Sequence, residues 1–307
     1  MYNSYEDVYQ RIYALKDCEP VPGDFLLKKT GAEIIDQFLN LTDSGLVLEV
    51  GCGSGVNSAF LSGTARRVVA TDLPYYDSIT HSLGMAVAKS LLMRIDVKNV
   101  DLVSCSGEGL PFSDNTFNTV FSSSVLEHIN DKEKTLREML RVAKPGGTVI
   151  FIIPTYIQSI CAFAHIYLYI VRRALEVTYA KAFNKPLTKE KILLPKANDT
   201  SRMGSAILGS FRKSHPSFPL PEPHGSYKNI FQEFSLQLPW KWTALAKKCG
   251  ARTTETFAFL FLPFNIMEVF STRTIAWLYS RTKSLHCLAA KSPLKYFSYS
   301  YCVVAKK

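Results

Sequence analysis

The sequence predicts an α/β fold in which a seven-stranded, mostly parallel sheet carries helices on both faces and is interrupted by two largely helical, apolar insertions. Two observations support this prediction. The first half alternates short apolar runs with amphipathic stretches, as in a parallel sheet wrapped by helices. After a long stretch of different composition, strand-like and helix-like patterns return near the C-terminus.

Apolar runs bounded by turn signals define the predicted strands. They are 45–50, 67–72, 100–104, 119–123, 148–153, 253–262 and 299–305. Helices are predicted at about 5–15, 30–40, 55–65, 81–95, 131–143 and 240–250. The sequence Lys-Pro-Gly-Gly at 144–147 predicts a helix stop followed by a tight turn into the fifth strand.

Residues 148–171 contain no Asp, Glu, Lys or Arg, so hydropathy alone would predict a transmembrane helix. The first six residues of this stretch are rich in Ile and Val, however, and Pro154 separates them from the remainder. We therefore predict a buried strand and then a helix at about 156–176. That helix ends at Arg172 and Arg173. It fits either a helix in the bilayer interface or a lid packed on its own domain.

The predicted organisation has four parts. They are N-terminal cap helices at 1–40, a ligand-binding core at 41–155, an acceptor-facing or membrane-facing insertion at 156–235, and core completion at 236–307 with a second apolar insertion at about 263–295.

The net charge of +10 is concentrated in the C-terminal part of the chain. Residues 1–171 hold 14 Lys/Arg and 19 Asp/Glu, whereas residues 172–307 hold 22 and 7. A basic half predicts either a surface that faces the phosphates of lipid or nucleic acid, or a solvated surface with no partner. The seven Cys are scattered and odd in number, which disfavours a disulfide framework or metal site and suits a reducing cytoplasm. The polar N-terminus lacks an apolar signal core, so we expect no secretion.

The most informative motif is the stretch from Val47 to Gly55, VLEVGCGSG, a strand that opens into a glycine-rich turn before a helix. Glycines remove the Cβ atoms that would hold a ligand away from the backbone, and a helix N-terminus suits an anionic group. A dinucleotide fingerprint would have Gly or Ala where Val56 stands. Asp72 closes the next strand, where a carboxylate can accept hydrogen bonds from ribose hydroxyls of either a nicotinamide or an adenosyl ligand.

Four ordered blocks carry a family resemblance. They are VLEVGCGSG at 47–55, ATDLP at 70–74, GEGLPFSDNTFNTVFSSSVLEHI at 107–129 and LREMLRVAKPGGTVIFIIP at 136–154. In order and spacing they resemble class I S-adenosylmethionine (SAM)-dependent methyltransferases, especially the type 11 domain of the ubiquinone and menaquinone methylases. The resemblance implies an enzyme with a Rossmann-like core and SAM as its cofactor. It also implies a final antiparallel strand at 301–307.

The resemblance assigns cofactor-binding roles by position. Residues of the glycine-rich segment would hold the methionine end of SAM: Glu49, Gly51, Cys52, Gly53 and Gly55. Residues after the second and third strands would hold the nucleoside: Asp72 at the ribose, and Leu73, Ser106, Gly107 and Glu108 at the adenine. Ser123 and Ser124 would lie below the sulfonium. The family often has an acid where Ser106 stands. It also often has Asp where Asn118 stands, a position we expect to be structural.

An oxygen acceptor would need a general base, and four side chains are candidates: His128, His224, Tyr156 and Tyr227. His224 is the favoured candidate, because it lies in a His-Gly turn just before the returning core, whereas His128 stands where the family often has His and is expected to be structural. The expected acceptor is a small, apolar or lipid-linked molecule, with O-methylation favoured and a pocket roofed by the N-terminal helix and the two insertions. An RNA methyltransferase and a non-catalytic SAM-binding protein remain alternatives. The block typical of amino-methylating nucleic-acid enzymes is absent after the fourth strand, so nucleic acid is the less favoured partner. We expect no metal ion.

Overall fold

The fold is built on one sheet of seven strands in the order β3-β2-β1-β4-β5-β7-β6. The computed structural model describes residues 5–15, 33, 45–74, 85–161, 179, 182, 183, 226–260 and 290–307. The strands are β1 Leu46–Val50, β2 Arg67–Asp72, β3 Val100–Ser104, β4 Phe117–Ser123, β5 Ala143–Pro154, β6 Thr253–Leu260 and β7 Ser300–Lys306. The first five strands are mutually parallel, and β7 runs antiparallel to both of its neighbours. The seven predicted strands and the antiparallel final strand are therefore confirmed.

Six α-helices are described with both ends. They are α1 Tyr5–Ala14, α2 Val56–Ser62, α3 Met85–Arg94, α4 Lys132–Val142, α5 Ile230–Leu236 and α6 Pro239–Lys248. Asp131 begins α4 by accepting a 2.9 Å hydrogen bond from the backbone N–H of Lys134, the side-chain cap that a helix N-terminus favours. A 3₁₀ helix at Pro293–Phe297 precedes β7. Residues 156–161 are also helical.

Helices cover both faces of the sheet, because alternate residues of each buried strand point to opposite sides. One face packs Val50 and Phe151 against Met139 of α4 and Trp242 of α6. The other face contains Val47, Phe121, Ile150 and Val304 among its buried side chains. A third cluster joins Val8 and Ile12 of α1 to Phe60 of α2 and Leu91 of α3, so α1 packs on the helical layer.

The sheet register shows where the insertions leave the core. Pro154 at the end of β5 and Leu260 at the end of β6 both lie opposite Ser300 at the start of β7. The carboxyl ends of β5 and β6 therefore meet at one edge of the sheet. The chain segments predicted as insertions follow these two residues, so both leave the core at that edge.

The turn predicted at 144–147 is present: Gly146 has φ +73°, and a Cβ at Gly147 would lie 3.1 Å from the backbone N of Lys144. Phe117 pairs with Ala143 and Thr119 pairs with Thr148, so the turn forms a bulge within β5. It lies inside the strand because Ala143, which caps α4, is already extended and joins the sheet at once. Asn118 lies opposite the bulge, and its Oδ1 accepts 3.1 Å hydrogen bonds from the backbone N–H of Leu46 and from Lys144 Nζ. The structural role expected for Asn118 is therefore confirmed.

Several predictions fall on residues that the structure does not describe. Most of each of these segments lies outside the described residues: the helix at 30–40, the helix at 156–176, the insertion at 156–235 and the insertion at 263–295. Within the part of the chain that is described, no helix combines the length and hydropathy that a bilayer crossing requires.

Candidate active site

A cavity of about 310 Å³ opens where β1, β2, β3 and β4 end. Its lining comes from the loops that follow these parallel strands, the position at which open α/β sheets bind ligands. The lining residues are Val50, Gly51, Cys52, Gly53, Ser54, Asn57, Thr71, Asp72, Leu73, Cys105, Ser106, Gly107, Glu108, Ser123, Ser124, Val125, His128, Ile129 and Asn130. A volume of this size accommodates a small-molecule ligand.

The glycine-rich loop is attached to the end of β2 through its backbone. The N–H groups of Gly51 and Cys52 both donate to the carbonyl oxygen of Thr71, at 2.8 and 2.9 Å. A Cβ at Gly51 would overlap both γ-carbons of Val125, so only glycine lets the end of β1 approach the end of β4 this closely. Gly53 has φ +53°, and a Cβ placed there would meet no described protein atom within 4 Å. The loop therefore presents backbone, rather than side chains, to the cavity.

Asp72 at the end of β2 organises the same loop. Its Oδ2 accepts a 2.6 Å hydrogen bond from the N–H of Gly53, and its Oδ1 accepts a 2.7 Å bond from the N–H of Leu73. Each carboxylate oxygen has two lone pairs, so a carboxylate oxygen can accept more than one hydrogen bond. Asp72 lines the cavity while largely buried. The carboxylate is thus held in place by the backbone while it faces the ligand space.

The far wall comes from the turn after β3 and from the start of α4. Ser106 Oγ accepts from the N–H of Glu108 at 3.2 Å, and Glu108 Oε1 accepts from the N–H of Asp131 at 3.3 Å. These contacts tie the turn to the N-terminus of α4. The Cys105 thiol also lines this wall, and burial raises its pKa above the ordinary value. Cys52 in the glycine-rich loop has its pKa raised further, first by burial and then by Glu49 and Asp72. Both cysteines are therefore neutral thiols at physiological pH.

Ser123 and Ser124 end β4 beside the cavity. Ser124 has φ +55°, a left-handed conformation that residues with a Cβ adopt only at a cost of about 1–2 kcal/mol. Its N–H nevertheless donates to the carbonyl oxygen of Ile152 at 2.9 Å, which fixes it against β5. A strained residue held at a cavity wall is typical of functional sites.

A cluster of ionisable groups lies beside the cavity, just after β4. His128 lines the cavity, and its Nε2 is 3.9 Å from Oε1 of Glu127. Glu127 is buried, which raises its pKa to about 8, and Lys132 opposes that shift. Among the described residues, Oε2 of Glu127 and the hydroxyl of Tyr227 have no hydrogen-bond partner. Burial, followed by Glu127 and Glu233, raises the pKa of Tyr227 well above its usual range.

The chain that returns after the first insertion is fastened to this cluster. The N–H and Oγ of Ser226 donate to the carbonyl oxygens of Glu127 and His128, at 2.9 and 2.5 Å. The ammonium group of Lys132 lies 5.1 Å from the centre of the Tyr227 ring, within cation–π range. The segment around 226–227 is therefore held directly beside the only histidine of the cavity lining as described.

A family comparison decides the identity of this domain. Residues 48–151, which include β1 to β4 and most of β5, match the model of the family described as Methyltransferase domain. Residues 48–151 form a class I methyltransferase domain. The sheet order, the antiparallel β7 and the cavity at the carboxyl ends of the strands agree with this assignment. The cofactor of the domain is S-adenosylmethionine.

Curated relatives share the methyltransferase domain. The ubiquinone/menaquinone biosynthesis C-methyltransferase UbiE of Enterobacter sp. (strain 638) is 39% identical over 108 residues, which are 34% of this chain and 40% of that protein. The mitochondrial arginine-hydroxylase NDUFAF5 of Rattus norvegicus is 29% identical over 143 residues, 46% of this chain and 38% of that protein. The match thus spans about two fifths of the length of these relatives. A solved SAM-dependent methyltransferase from Aquifex aeolicus aligns over 97% of both chains with a TM-score of 0.49 and 14% identity.

The chemistry of the cavity fits SAM. The lining contains the carboxylic acids Asp72 and Glu108, and none of its described residues is Lys or Arg. Carboxylates attract a sulfonium cation. The open space at Gly53 leaves room for a ligand to lie against the loop backbone. Within the methyltransferase domain, Asp72 would hold the ribose, and the loop 51–53 would face the methionine part.

The structure brings together most of the residues predicted to bind the cofactor, and two lie elsewhere. Glu49 is fully buried on β1, accepts a hydrogen bond from Ser58 of α2 and does not line the cavity. Gly55 also lies outside the lining and faces Ala88 of α3. Among the predicted bases, His128 is at the cavity wall, and Tyr156 follows β5 without lining the cavity. His224 lies outside the described residues, and Tyr227 is buried behind His128.

The sequence predictions omitted several lining residues, notably Asn57, Asn130 and Ser54. Asn57 lies in the first turn of α2, and Asn130 precedes the cap of α4. Both positions follow strand ends of the sheet, so the rule that ligands lie at carboxyl ends of parallel strands could have indicated them. Among the described residues, no group of three or more His, Cys, Asp or Glu side chains is arranged to hold a metal ion.

Proposed function

We propose that this chain transfers a methyl group from SAM to a small, apolar or lipid-linked acceptor, with oxygen as the favoured target atom. One observation carries the proposal: the cavity of the methyltransferase domain presents loop backbone, Asp72 and Glu108 to its ligand, and its described lining contains no basic side chain other than His128. Such a lining suits a cationic sulfonium cofactor.

When bound, SAM supplies a methyl group that is already activated for transfer. The protein therefore has to position the acceptor, exclude water and, for a hydroxyl acceptor, remove a proton. Asp72 and the 51–53 backbone would fix the cofactor relative to the end of β4. Ser123 and Ser124 would form the wall beside the reacting centre.

His128 is the side chain that we assign as the base for an oxygen acceptor. It lines the cavity, and the carboxyl group of Glu127 lies 3.9 Å from its Nε2. Proton removal requires a group within hydrogen-bond reach of the acceptor, and a cavity-lining imidazole is suitably placed. In this proposal, Tyr156 and His224 are acceptor-side residues of the first insertion rather than parts of the cofactor cavity.

The acceptor class follows from the two insertions. Both leave the sheet at the edge where Pro154 and Leu260 lie opposite Ser300, which is the carboxyl edge at which the cavity opens. Their aromatic and aliphatic composition favours an apolar or amphipathic acceptor. We further propose that the protein acts in the cytoplasm, at the inner face of the membrane. The five cysteines that the structure describes are free, which is consistent with a reducing compartment.

A carbon acceptor is the second candidate, because UbiE, which is 39% identical over 108 residues, bears the name C-methyltransferase. A carbon target with an acidic proton would use the same cavity and the same base. RNA methylation remains the alternative that the basic C-terminal half would support, through salt-sensitive binding.

The test is formation of S-adenosylhomocysteine from SAM in the presence of fractionated lipid and small-molecule extracts. We expect turnover with an apolar fraction, and mass spectrometry of the methylated product distinguishes oxygen from carbon. His128→Gln should lower kcat at least about tenfold for a hydroxyl acceptor and should change SAM affinity much less than kcat. Unchanged kcat in this variant would remove His128 as the base. Binding of SAM without turnover on any fraction would favour the non-catalytic alternative.

A further inference from the structure

Three large apolar side chains are exposed together on the C-terminal part of the fold. Trp240 in the first turn of α6 is 54% exposed, and Leu294 and Phe297 of the 3₁₀ helix are 57% and 63% exposed. Residues three apart share one face of a 3₁₀ helix, so Leu294 and Phe297 form a ridge. The ring of Tyr296 in the same helix lies 6.4 Å from that of Trp240, which joins the two elements. We call Trp240, Leu294 and Phe297 the apolar ridge.

The apolar ridge lies at the edge of the sheet where the cavity opens. The 3₁₀ helix leads directly into Ser300, which pairs with the last residues of β5 and β6. Helix α6 ends at Lys248, shortly before Thr253 begins β6. Thr253 pairs with Lys306 at the edge of the sheet opposite the cavity. Trp240, in the first turn of α6, therefore lies at the end of the helix nearer the cavity. A partner that covered the ridge would therefore lie on the side of the protein where the cavity opens.

The charge around the apolar ridge is positive. Residues 290–300, which contain the 3₁₀ helix of the ridge, include two Lys and no Asp or Glu. Lys295 lies 5.4 Å from the centre of the Tyr296 ring and donates to Thr256 Oγ1 at 3.0 Å, and Lys291 is exposed. Trp and Tyr are enriched at the boundary between lipid and water, and Lys side chains near an anionic bilayer are attracted to its surface.

We propose that the apolar ridge docks this protein on the surface of an anionic phospholipid bilayer. Leu294 and Phe297 enter the region between headgroups and acyl chains, Trp240 lies at headgroup depth, and the neighbouring lysines contact lipid phosphates. The docked protein holds the carboxyl edge of its sheet toward the lipid. Docking requires neither SAM nor methyl transfer, so its test is independent of the proposed function.

The experiment is co-sedimentation of the full chain with vesicles of phosphatidylcholine alone and of phosphatidylcholine mixed with phosphatidylglycerol. We expect binding to the mixed vesicles that weakens with salt. The double variant Leu294→Ser/Phe297→Ser should bind at least about tenfold more weakly, because two apolar side chains no longer enter the lipid. The matched control is Met93→Ser, because Met93 is 70% exposed on α3, whose end leads to the start of β3 at the opposite edge of the sheet.

A second measurement locates the contact. Brominated lipids should quench tryptophan fluorescence of the unaltered protein, and Trp240→Phe should remove most of that quenching while mixed-vesicle binding persists. Circular dichroism and thermal unfolding establish that each variant is folded. Equal vesicle binding by the double variant and the Met93→Ser control would overturn the proposal, as would absence of binding to the mixed vesicles. Concentration-dependent association without lipid that the double variant abolishes would instead assign the ridge to contact between copies of this chain.

Discussion

The Oδ2 atom of Asp72 accepts a 2.6 Å hydrogen bond from the backbone N–H of Gly53. This contact joins the end of β2 to the loop that follows β1, and both residues line the cavity. The carboxylate therefore shapes the loop and faces the ligand at the same time. Cofactor affinity and loop geometry should respond together when this contact is changed.

Substitutions of two glycines should separate binding from folding. At Gly53, an alanine Cβ would project into open space at φ +53°, so Gly53→Ala should lose about 1–2 kcal/mol of stability and weaken SAM binding. At Gly51, a Cβ would overlap Val125, so Gly51→Ala should lose more stability. Urea denaturation and calorimetry measure both quantities. Val125→Ala should partly rescue Gly51→Ala, and a rescue of Gly53→Ala by the same change would contradict this account.

Ser124→Gly should stabilise the folded protein or leave its stability unchanged. The left-handed backbone at φ +55° costs serine about 1–2 kcal/mol, which glycine avoids, although glycine also increases the entropy of the unfolded chain. Ser124→Val, with a β-branched side chain in the same conformation, should destabilise the protein. Thermal unfolding of the two variants provides the comparison. A glycine variant less stable than the valine variant would show that the backbone at this position is not strained.

The carboxyl group of Glu127 should make stability fall as pH rises. Burial raises its folded pKa from 4.5 to about 8. Between these values the unfolded chain has released the proton and the folded chain retains it, so the free energy of unfolding falls across this window. Glu127→Gln should remove that slope, and urea denaturation at pH 5 and pH 8 measures it.

Glu133→Gln is the control for this prediction. Ion pairs with Lys248 and Arg137 lower the pKa of the half-buried Glu133 below 4.5, so the stability that Glu133 contributes is lost only in more acidic solution. The stability difference between this variant and the unaltered protein should stay constant from pH 5 to pH 8. The same slope in the Glu127→Gln variant as in the unaltered protein would assign the pH dependence to other groups.

The sequence predicted the sheet well, because each strand of the core is a short apolar run between turn residues. It predicted the turn at 144–147 but not that Ala143, which precedes the turn, already pairs with Phe117. The assignment of Glu49 to the cofactor came from the motif alone. On β1 its side chain points away from Val50, which lines the cavity, and toward Ser58 of α2.

The acceptor side could be predicted only in outline. Ser226 donates hydrogen bonds to the carbonyl oxygens of Glu127 and His128, about one hundred positions away in the chain. No periodicity in the sequence indicates that contact. The family match ends at residue 151, and residues of the insertions have no motif against which to be placed.

Calorimetric titration with SAM tests the central claim most directly, with the unaltered chain and Asp72→Ala compared side by side. We expect the unaltered chain to bind SAM and the variant to bind at least about tenfold more weakly, a difference of about 1.4 kcal/mol. Circular dichroism should show that both proteins are folded. Absence of binding by the folded, unaltered chain, or equal affinity in Asp72→Ala, would contradict the assignment of this cavity to the cofactor.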